Sequence, residues 1–156
     1  AHGIHTCLDT SGIMFPGFPE DGEATSDITL EKIDRLLDVT DLVMLDIKHI
    51  RDEDHRKLTG HSNKNILAFA RYLDQKKKPV WIRHVLVPER NDKDEYLHQL
   101  ADFIHTLKNV ERVEVLPYHT LGIFKWEKLG IPYPLEGVKP PTQERIDNAR
   151  RILGAI

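Results

Sequence analysis

Residues 41–48 have the sequence DLVMLDIK, in which four consecutive apolar residues lead into Asp46, Ile47 and Lys48. A nearly continuous apolar run of this kind is typical of a strand that is covered on both faces, as in a parallel sheet. Residues 80–87 form a similar run, and shorter runs occupy residues 4–8 and 113–116. These four segments are predicted to be strands, and the second is predicted to span residues 42–47.

Apolar residues at helical spacing follow each of these strands. They fall into four sets: Leu30, Ile33, Leu36 and Leu37; Ile66, Ala70 and Leu73; Leu97, Leu100, Ala101, Ile104 and Leu107; and Ile146, Ala149 and Leu153. Thr29 and Thr142 are the predicted N-caps of the first and last helices, and Gly154 is predicted to end the last. Asp92 is the predicted cap of the third helix, because Glu95 follows three residues later as in a capping box.

The alternation of strands and helices predicts an α/β fold in which helices flank about four parallel strands. Two loops rich in glycine and proline interrupt the rhythm, at residues 12–26 and 119–141. Loops of this length in a compact domain are usually functional or disordered. By its length, the chain of residues 1–156 is predicted to form a single domain.

The composition excludes several classes of function. A net charge of −3 and a pI near 6.3 argue against a nucleic-acid-binding surface. No apolar stretch approaches the roughly 20 residues of a membrane span, so no membrane partner is expected. The single cysteine, Cys7, cannot form an internal disulfide, which fits a reducing compartment and predicts a cytoplasmic location.

Charged side chains lie at or near the ends of the predicted strands. Asp9 follows the first, Asp46 and Lys48 close the second, Arg83 lies inside the third, and His119 follows the fourth. In parallel α/β folds, ligands bind at the carboxyl ends of the strands. We therefore expect two acids and three cationic or basic groups to meet at one rim.

Structural roles for these residues remain open at this point. Asp46 and Lys48 could form a simple ion pair, and an aspartate at a strand end often caps a helix or forms a turn. Arg83 is different, because a guanidinium in a strand covered on both faces is costly unless a carboxylate or an anion pairs with it. The remaining histidines lack metal-ligand spacing and are interpreted as surface or packing residues: His2, His5, His49, His55, His61, His84, His98 and His105.

Six segments, in this order, resemble the activating enzymes of pyruvate formate-lyase. They are residues 3–12 (GIHTCLDTSG), 41–48 (DLVMLDIK), 80–83 (VWIR), 116–122 (LPYHTLG), 125–126 (KW) and 137–141 (GVKPP). Together they extend over essentially the whole chain. The resemblance therefore concerns the entire sequence rather than one motif.

The resemblance implies a radical S-adenosylmethionine (SAM) enzyme with a partial (β/α)6 barrel, of which this chain would be the C-terminal part. In that family a [4Fe-4S] cluster binds SAM and cleaves it reductively. The resulting 5′-deoxyadenosyl radical removes a hydrogen from a glycine of the partner, pyruvate formate-lyase. The implied electron donor is a reductant such as flavodoxin or ferredoxin.

The resemblance also implies roles for the residues at the rim. Asp9, Asp46, Lys48, Arg83 and His119 are expected to line the SAM side of the barrel. Asp9 would accept a hydrogen bond from the methionine ammonium, and Lys48 or Arg83 would meet the carboxylate. His119 would meet the ribose or the adenine.

The sequence departs from the family in its metal ligands. The CxxxCxxC cluster motif and the glycine-rich SAM-binding segment of the family are missing from residues 1–156, and a [4Fe-4S] cluster needs three protein thiolates. We therefore expect a C-terminal fragment that has no cluster ligands of its own and is inactive alone. Because such a fragment lacks the strand that would neighbour residues 4–8, we also expect it to self-associate through this edge.

Two other interpretations stay open. The chain could be a stand-alone binding module that docks the lyase or a cluster-bearing partner chain without catalysis. It could also be an unrelated βα enzyme that uses Asp46, Lys48 and His119 for acid–base chemistry.

Overall fold

The computed structural model describes residues 3–17 and 30–155. Its four strands form one parallel sheet: β1 (Cys7–Thr10), β2 (Leu42–Asp46), β3 (Val80–Leu86) and β4 (Val110–Pro117). Each strand pairs with its neighbours in the chain, so the spatial order is β1-β2-β3-β4. The predicted α/β fold with four parallel strands and flanking helices is confirmed.

Six helices connect or follow these strands in the described part of the chain. They are α1 (Leu30–Asp38), α2 (Asp52–Thr59), α3 (Lys64–Gln75), α4 (Asp94–His105), α5 (Ile123–Leu129) and α6 (Gln143–Leu153). Four of them correspond to the predicted helices. The other two, α2 and α5, were not predicted, because α2 buries only His55 and α5 buries none of its residues.

The first strand begins later than expected. Residues 4–8 were predicted, but pairing with β2 starts at Cys7, opposite Leu42, and continues to Thr10. The residue before β1, Thr6, is held by hydrogen bonds that involve side chains. The Thr6 hydroxyl donates to the carbonyl of Val39 at 2.6 Å, and the Thr6 backbone N–H donates to the Asp41 carboxylate at 2.7 Å. The prediction of residues 4–8 was therefore wrong in its bounds.

The helix caps were predicted with mixed success. The Thr142 hydroxyl accepts from the N–H of Arg145 at 3.2 Å, and Gly154 follows α6 with φ of 62°, so both predictions for the last helix are confirmed. Asp92 does not cap α4, since Lys93 occupies the N-cap position and the Asp92 carboxylate instead accepts from the N–H of Glu89 at 2.9 Å. The predicted cap Thr29 lies outside the described residues.

The hydrophobic core lies between one face of the sheet and the helices. Its fully buried members include Leu45 on β2, Ile82 on β3, Leu73 on α3, and Leu97 and Leu100 on α4. Burial of large aliphatic side chains at this interface supplies most of the stabilisation of such a layered fold. No helix among the described residues is long and apolar enough to cross a membrane.

Gly12 directs the chain away from the end of β1. Its φ is +71°, and a Cβ at this position would lie 2.9 Å from Cδ1 of Phe69. The carbonyl of Gly12 accepts from the N–H of Phe15 at 3.0 Å, and the Phe15 ring packs 5.3 Å from the ring of Phe69. A glycine is needed here both for its backbone conformation and for the close approach of α3.

Three histidines are buried, with 1–2% of their surface exposed: His49, His55 and His84. Nδ1 of His84 lies 2.8 Å from the carbonyl of Ile47, and Nδ1 of His55 lies 2.7 Å from the carbonyl of His61. A carbonyl only accepts, so each of these nitrogens carries the proton. Burial lowers the pKa of all three rings, and that of His84 to about 4. The packing interpretation of these histidines is confirmed.

These histidines predict that acid destabilises the fold. Their pKa is near 6.5 in the unfolded chain and lower in the folded chain, so the unfolded state binds more protons as the pH falls below about 6.5. Each histidine can lower the free energy of unfolding by up to about 1.4 kcal/mol for each pH unit between its pKa in the unfolded chain and its pKa in the folded chain. Urea unfolding at pH 7.5, compared with measurements at about pH 5.5 and below, should show this loss.

A pair of variants isolates the contribution of His84. His84→Gln should flatten the dependence of unfolding free energy on pH between about 6.5 and 4, whereas His105→Gln, at an exposed position, should leave it unchanged. An unfolding free energy of the native chain that stays constant across this range contradicts the expectation.

Candidate functional site

Arg83, in the middle of β3, joins this strand to the carboxyl-terminal parts of β1 and β2. Its Nε donates to Oδ1 of Asp46 on β2 at 2.7 Å, and its Nη1 donates to Oδ2 of Asp9 on β1 at 3.0 Å. Nη2 donates to the other carboxylate oxygen of Asp9, so this second contact is bidentate. Nζ of Lys48 lies 3.0 Å from the second oxygen of Asp46. We call these four residues the charged cluster.

The register of the sheet explains why these side chains meet. Asp46 of β2 lies opposite Arg83 of β3. Asp9 of β1 lies opposite Met44 of β2, which is two residues before Asp46 and is on the same face of the sheet. Because side chains alternate between the faces of a strand, the intervening Leu45 and Ile82 point into the core instead. The charged cluster therefore occupies the face of the sheet that is turned away from the hydrophobic core.

The cluster balances its own charge and remains partly accessible. It contains two carboxylates and two cations. The Arg83 and Asp46 side chains are 15% and 19% exposed, whereas those of Lys48 and Asp9 are 37% and 57% exposed. Burial alone would lower the pKa of Arg83, but its hydrogen bonds with Asp9 and Asp46 outweigh this and raise it. Arg83 is thus a permanent interior cation, and Asp9 and Lys48 present opposite charges to solvent.

Sequence reasoning found four of the five rim residues in one place. The structure brings Asp9, Asp46, Lys48 and Arg83 together, and the carboxylate partner expected for Arg83 is supplied by both Asp46 and Asp9. Asp46 contacts both Lys48 and Arg83, so it does more than close a strand through a simple ion pair. His119 follows β4 and is exposed, and no hydrogen bond or ion pair joins it to the cluster within the described residues.

The same face carries residues that the strand-end argument missed. Arg112 and Glu114 of β4 lie opposite Trp81 and Arg83 of β3, and Nε of Arg112 lies 3.1 Å from a carboxylate oxygen of Glu114. The Arg112 guanidinium lies 4.9 Å from the centroid of the Trp81 ring. The alternation of charged and valine residues over 112–115 was the signal for this arrangement, because it places both charges on one face.

An iron–sulfur cluster does not fit the described residues. Cys7 is exposed, and the parts of the chain that are described contain no group of three His, Cys, Asp or Glu side chains that could hold a metal ion. The sequence contains no second cysteine. The charged cluster, by contrast, offers both signs of charge to a ligand that carries an ammonium and a carboxylate.

Comparison with protein families defines the class of this chain. Residues 1–103 match the sequence model of the Radical SAM superfamily, and the chain belongs to this superfamily. At 21% identity, a crystal structure of a domain of pyruvate-formate lyase-activating enzyme from Bacteroides vulgatus superposes with a TM-score of 0.72 over 97% of this chain and 76% of that one. A radical SAM methyltransferase from Sphaerobacter thermophilus superposes with a TM-score of 0.60, also at 21% identity, over 95% of this chain and 37% of the other.

Curated sequences give a more specific similarity. The chain is 57% identical over 151 residues to the pyruvate formate-lyase-activating enzyme of Streptococcus mutans, covering 97% of this chain and 54% of the relative. It is 47% identical over 151 residues to pyruvate formate-lyase 1-activating enzyme of Escherichia coli, covering 97% of this chain and 56% of the relative. The chain therefore spans somewhat more than half the length of the curated relatives that it matches.

Removal of the Arg83 guanidinium should destabilise the fold. Arg83→Met would leave the largely buried carboxylate of Asp46 without its interior partner, and a broken buried ion pair costs about 3–5 kcal/mol. Some solvent reaches this pair, so we expect a loss of about 2–4 kcal/mol in the free energy of unfolding, measured in urea.

Two milder variants serve as controls for this measurement. Arg83→Lys keeps a cation and should lose less than Arg83→Met. Asp9→Asn alters a carboxylate that is more than half exposed, and should cost no more than about 1 kcal/mol. Equal stability of Arg83→Met and the native chain would show that the pairing contributes nothing.

Proposed function

We propose that the charged cluster binds the amino-acid end of S-adenosylmethionine, in a chain that forms the C-terminal portion of a pyruvate formate-lyase activating enzyme. The observation that carries the proposal is the meeting of Asp9, Asp46, Lys48 and Arg83 on one face of the sheet, near the carboxyl ends of β1 and β2 and at the middle of β3. We also propose that residues 1–156 form one domain. The four residues are proposed to line the SAM side of the barrel, as the similarity to activating enzymes suggests.

The chemistry of the cluster supports this assignment. The methionine end of SAM carries one ammonium and one carboxylate. The more exposed members of the cluster are Asp9, which can accept from an ammonium, and Lys48, which can donate to a carboxylate. Arg83 holds Asp9 and Asp46 in place, so the acceptor is positioned before a ligand arrives. His119 is proposed to meet the ribose or the adenine.

We propose that this chain binds and orients SAM, and that electron transfer takes place at a cluster held by other residues. The resemblance to activating enzymes implies that SAM bound to a [4Fe-4S] cluster would supply a radical, and we propose pyruvate formate-lyase as the protein on which a glycyl radical forms. A flavodoxin or ferredoxin would be the reductant, in the cytoplasm. One cysteine cannot supply three thiolates, so these residues alone are proposed to be inactive.

A second candidate is a binding module that docks the lyase, or a cluster-bearing chain, without catalysis. Its support is the apolar surface around α5, where Leu121, Phe124, Leu129 and Ile131 are exposed. Exposed apolar patches on a soluble domain often mark interaction surfaces. This candidate predicts binding of the lyase but no binding of SAM.

Calorimetric titration with SAM and with 5′-methylthioadenosine tests the proposal. The second compound keeps the adenosine but lacks the amino-acid end. The chain should bind SAM at least about 10-fold more tightly, since that factor corresponds to about 1.4 kcal/mol from the charged contacts. Lys48→Met should remove most of this preference, whereas Lys108→Met, at an exposed lysine before β4, should retain it. Equal affinity for the two compounds would refute the assignment.

We also propose that the chain self-associates through β1, which is an edge strand of the described sheet. The carbonyl of Thr6 accepts from the N–H of Leu42, so in a parallel ladder the N–H of Leu8 faces β2 and that of Cys7 faces outward. Outward-facing backbone groups of this kind template strand pairing.

Cys7→Pro should reduce this association, because proline removes the outward N–H while the pairing with β2 remains. Light scattering over a concentration series, with a thiol reductant present, should show dimers of the native chain and of Cys7→Ser but fewer dimers of Cys7→Pro. A native chain that stays monomeric at the highest concentration contradicts the proposal.

A further inference from the structure

A groove with a volume of about 430 Å³ lies among the segments that follow β2, β3 and β4, and takes no part in the function proposed above. Its walls come from α2, the loop between β3 and α4, the first turn of α4, α5, and the segment of residues 133–135. The lining residues are Asp54, Lys57, Leu58, Glu89, Arg90, Lys93, Tyr96, Trp126, Tyr133, Pro134 and Leu135.

The groove opens at the same edge of the sheet as the charged cluster. Each of its walls follows the carboxyl end of a strand: α2 follows β2, residues 89–96 follow β3, and α5 with residues 133–135 follows β4. In parallel sheets these connections lie together on one side of the molecule. The groove therefore lies at the end of the sheet that a protein partner of the charged cluster would approach.

The groove carries cations that have no carboxylate partner. Nζ of Lys57 is held by Glu53 at 3.0 Å and by Asp54 at 3.3 Å. Neither Arg90 nor Lys93 forms an ion pair with any residue that the structure describes, and both are exposed. Nζ of Lys93 lies 5.5 Å from the centroid of the Tyr96 ring, a contact that leaves its charge without a carboxylate. Glu89 is the one remaining acid of the lining, so the groove favours a partner with negative charge.

Aromatic rings form the rest of the recognition surface. The ring of Trp126 lies 5.7 Å from that of Tyr133, whose hydroxyl lies 2.7 Å from the hydroxyl of the buried Tyr118. Across the groove, the ring of Tyr96 is covered by the guanidinium of Arg51 at 4.7 Å. These contacts fix the rings at low entropic cost, and Trp, Tyr and Arg are the residue types that dominate binding energy at protein interfaces.

We propose that this groove docks an exposed segment of the lyase that carries a carboxylate side chain next to an apolar one. The carboxylate would pair with Arg90 and Lys93, and the apolar group would pack on Trp126 and Tyr133. This inference rests on the proposed function, because the lyase is taken from there. A polypeptide is favoured over a nucleic acid, since the chain has a net charge of −3 and a phosphate backbone needs several cations in a row.

Binding of this chain to pyruvate formate-lyase from the same organism, measured by biolayer interferometry, tests the inference. The double variant Arg90→Glu with Lys93→Glu should weaken binding at least about 10-fold, and Trp126→Ala should do the same, as expected for interface hot spots. The matched control is Lys64→Glu with Lys108→Glu, which makes the same charge change at exposed positions outside the groove. It should stay within about 2-fold of the native affinity, and circular dichroism should show each variant folded.

The outcomes separate this inference from the function on which it rests. Native binding that the groove variants and the control weaken equally overturns the groove, as does failure of the native chain to bind the lyase. Binding of a single-stranded oligonucleotide that the same groove variants abolish also overturns it. The titration with SAM is independent of these results and tests the proposed function separately.

Discussion

A guanidinium inside a parallel strand is the constraint on which the rest of this structure depends. Arg83 lies on an inner strand and would be costly there without partners, and Asp9 and Asp46 satisfy it from the two preceding strands. This requirement fixes the register of β2 against β3, and it fixes which face of β1 is turned away from the core. It also leaves Lys48 and part of Asp9 as the charges that a ligand can reach.

In the two proposals above, the charged cluster and the groove would make different kinds of contact. The cluster is small, balanced in charge and rigidly held, which suits one compact zwitterionic group. The groove is wider, has an excess of cations and is walled by aromatic rings, which suits a flexible polypeptide. The cluster lies on β1, β2 and β3 and directly after β2, whereas the groove lies among the connections that follow β2, β3 and β4.

Much of this could be predicted from sequence because the signals were local and strong. Apolar runs indicated the strands. The position of Arg83 inside such a run indicated that a carboxylate or an anion pairs with it. α2 was missed because ion pairs within the helix, such as Arg56 with Asp52 at 2.9 Å, support it without an apolar repeat. Asp92 was misassigned because residues 92–95 fit a capping box, yet its carboxylate serves the preceding turn. The groove could not be predicted, since its walls come from five separate segments that only the folded chain brings together.

The arrangement of the strands also bears on the order in which the chain becomes stable. Asp9 and Asp46 precede Arg83 by 74 and 37 residues, so both carboxylates leave the ribosome well before the cation that neutralises them. Until β3 docks, the growing sheet holds two neighbouring carboxylates, of which Asp46 has the Lys48 ammonium beside it and Asp9 has no cation of the cluster. The charge of this edge is therefore balanced only once Arg83 has been synthesised, and the same arginine then links three strands.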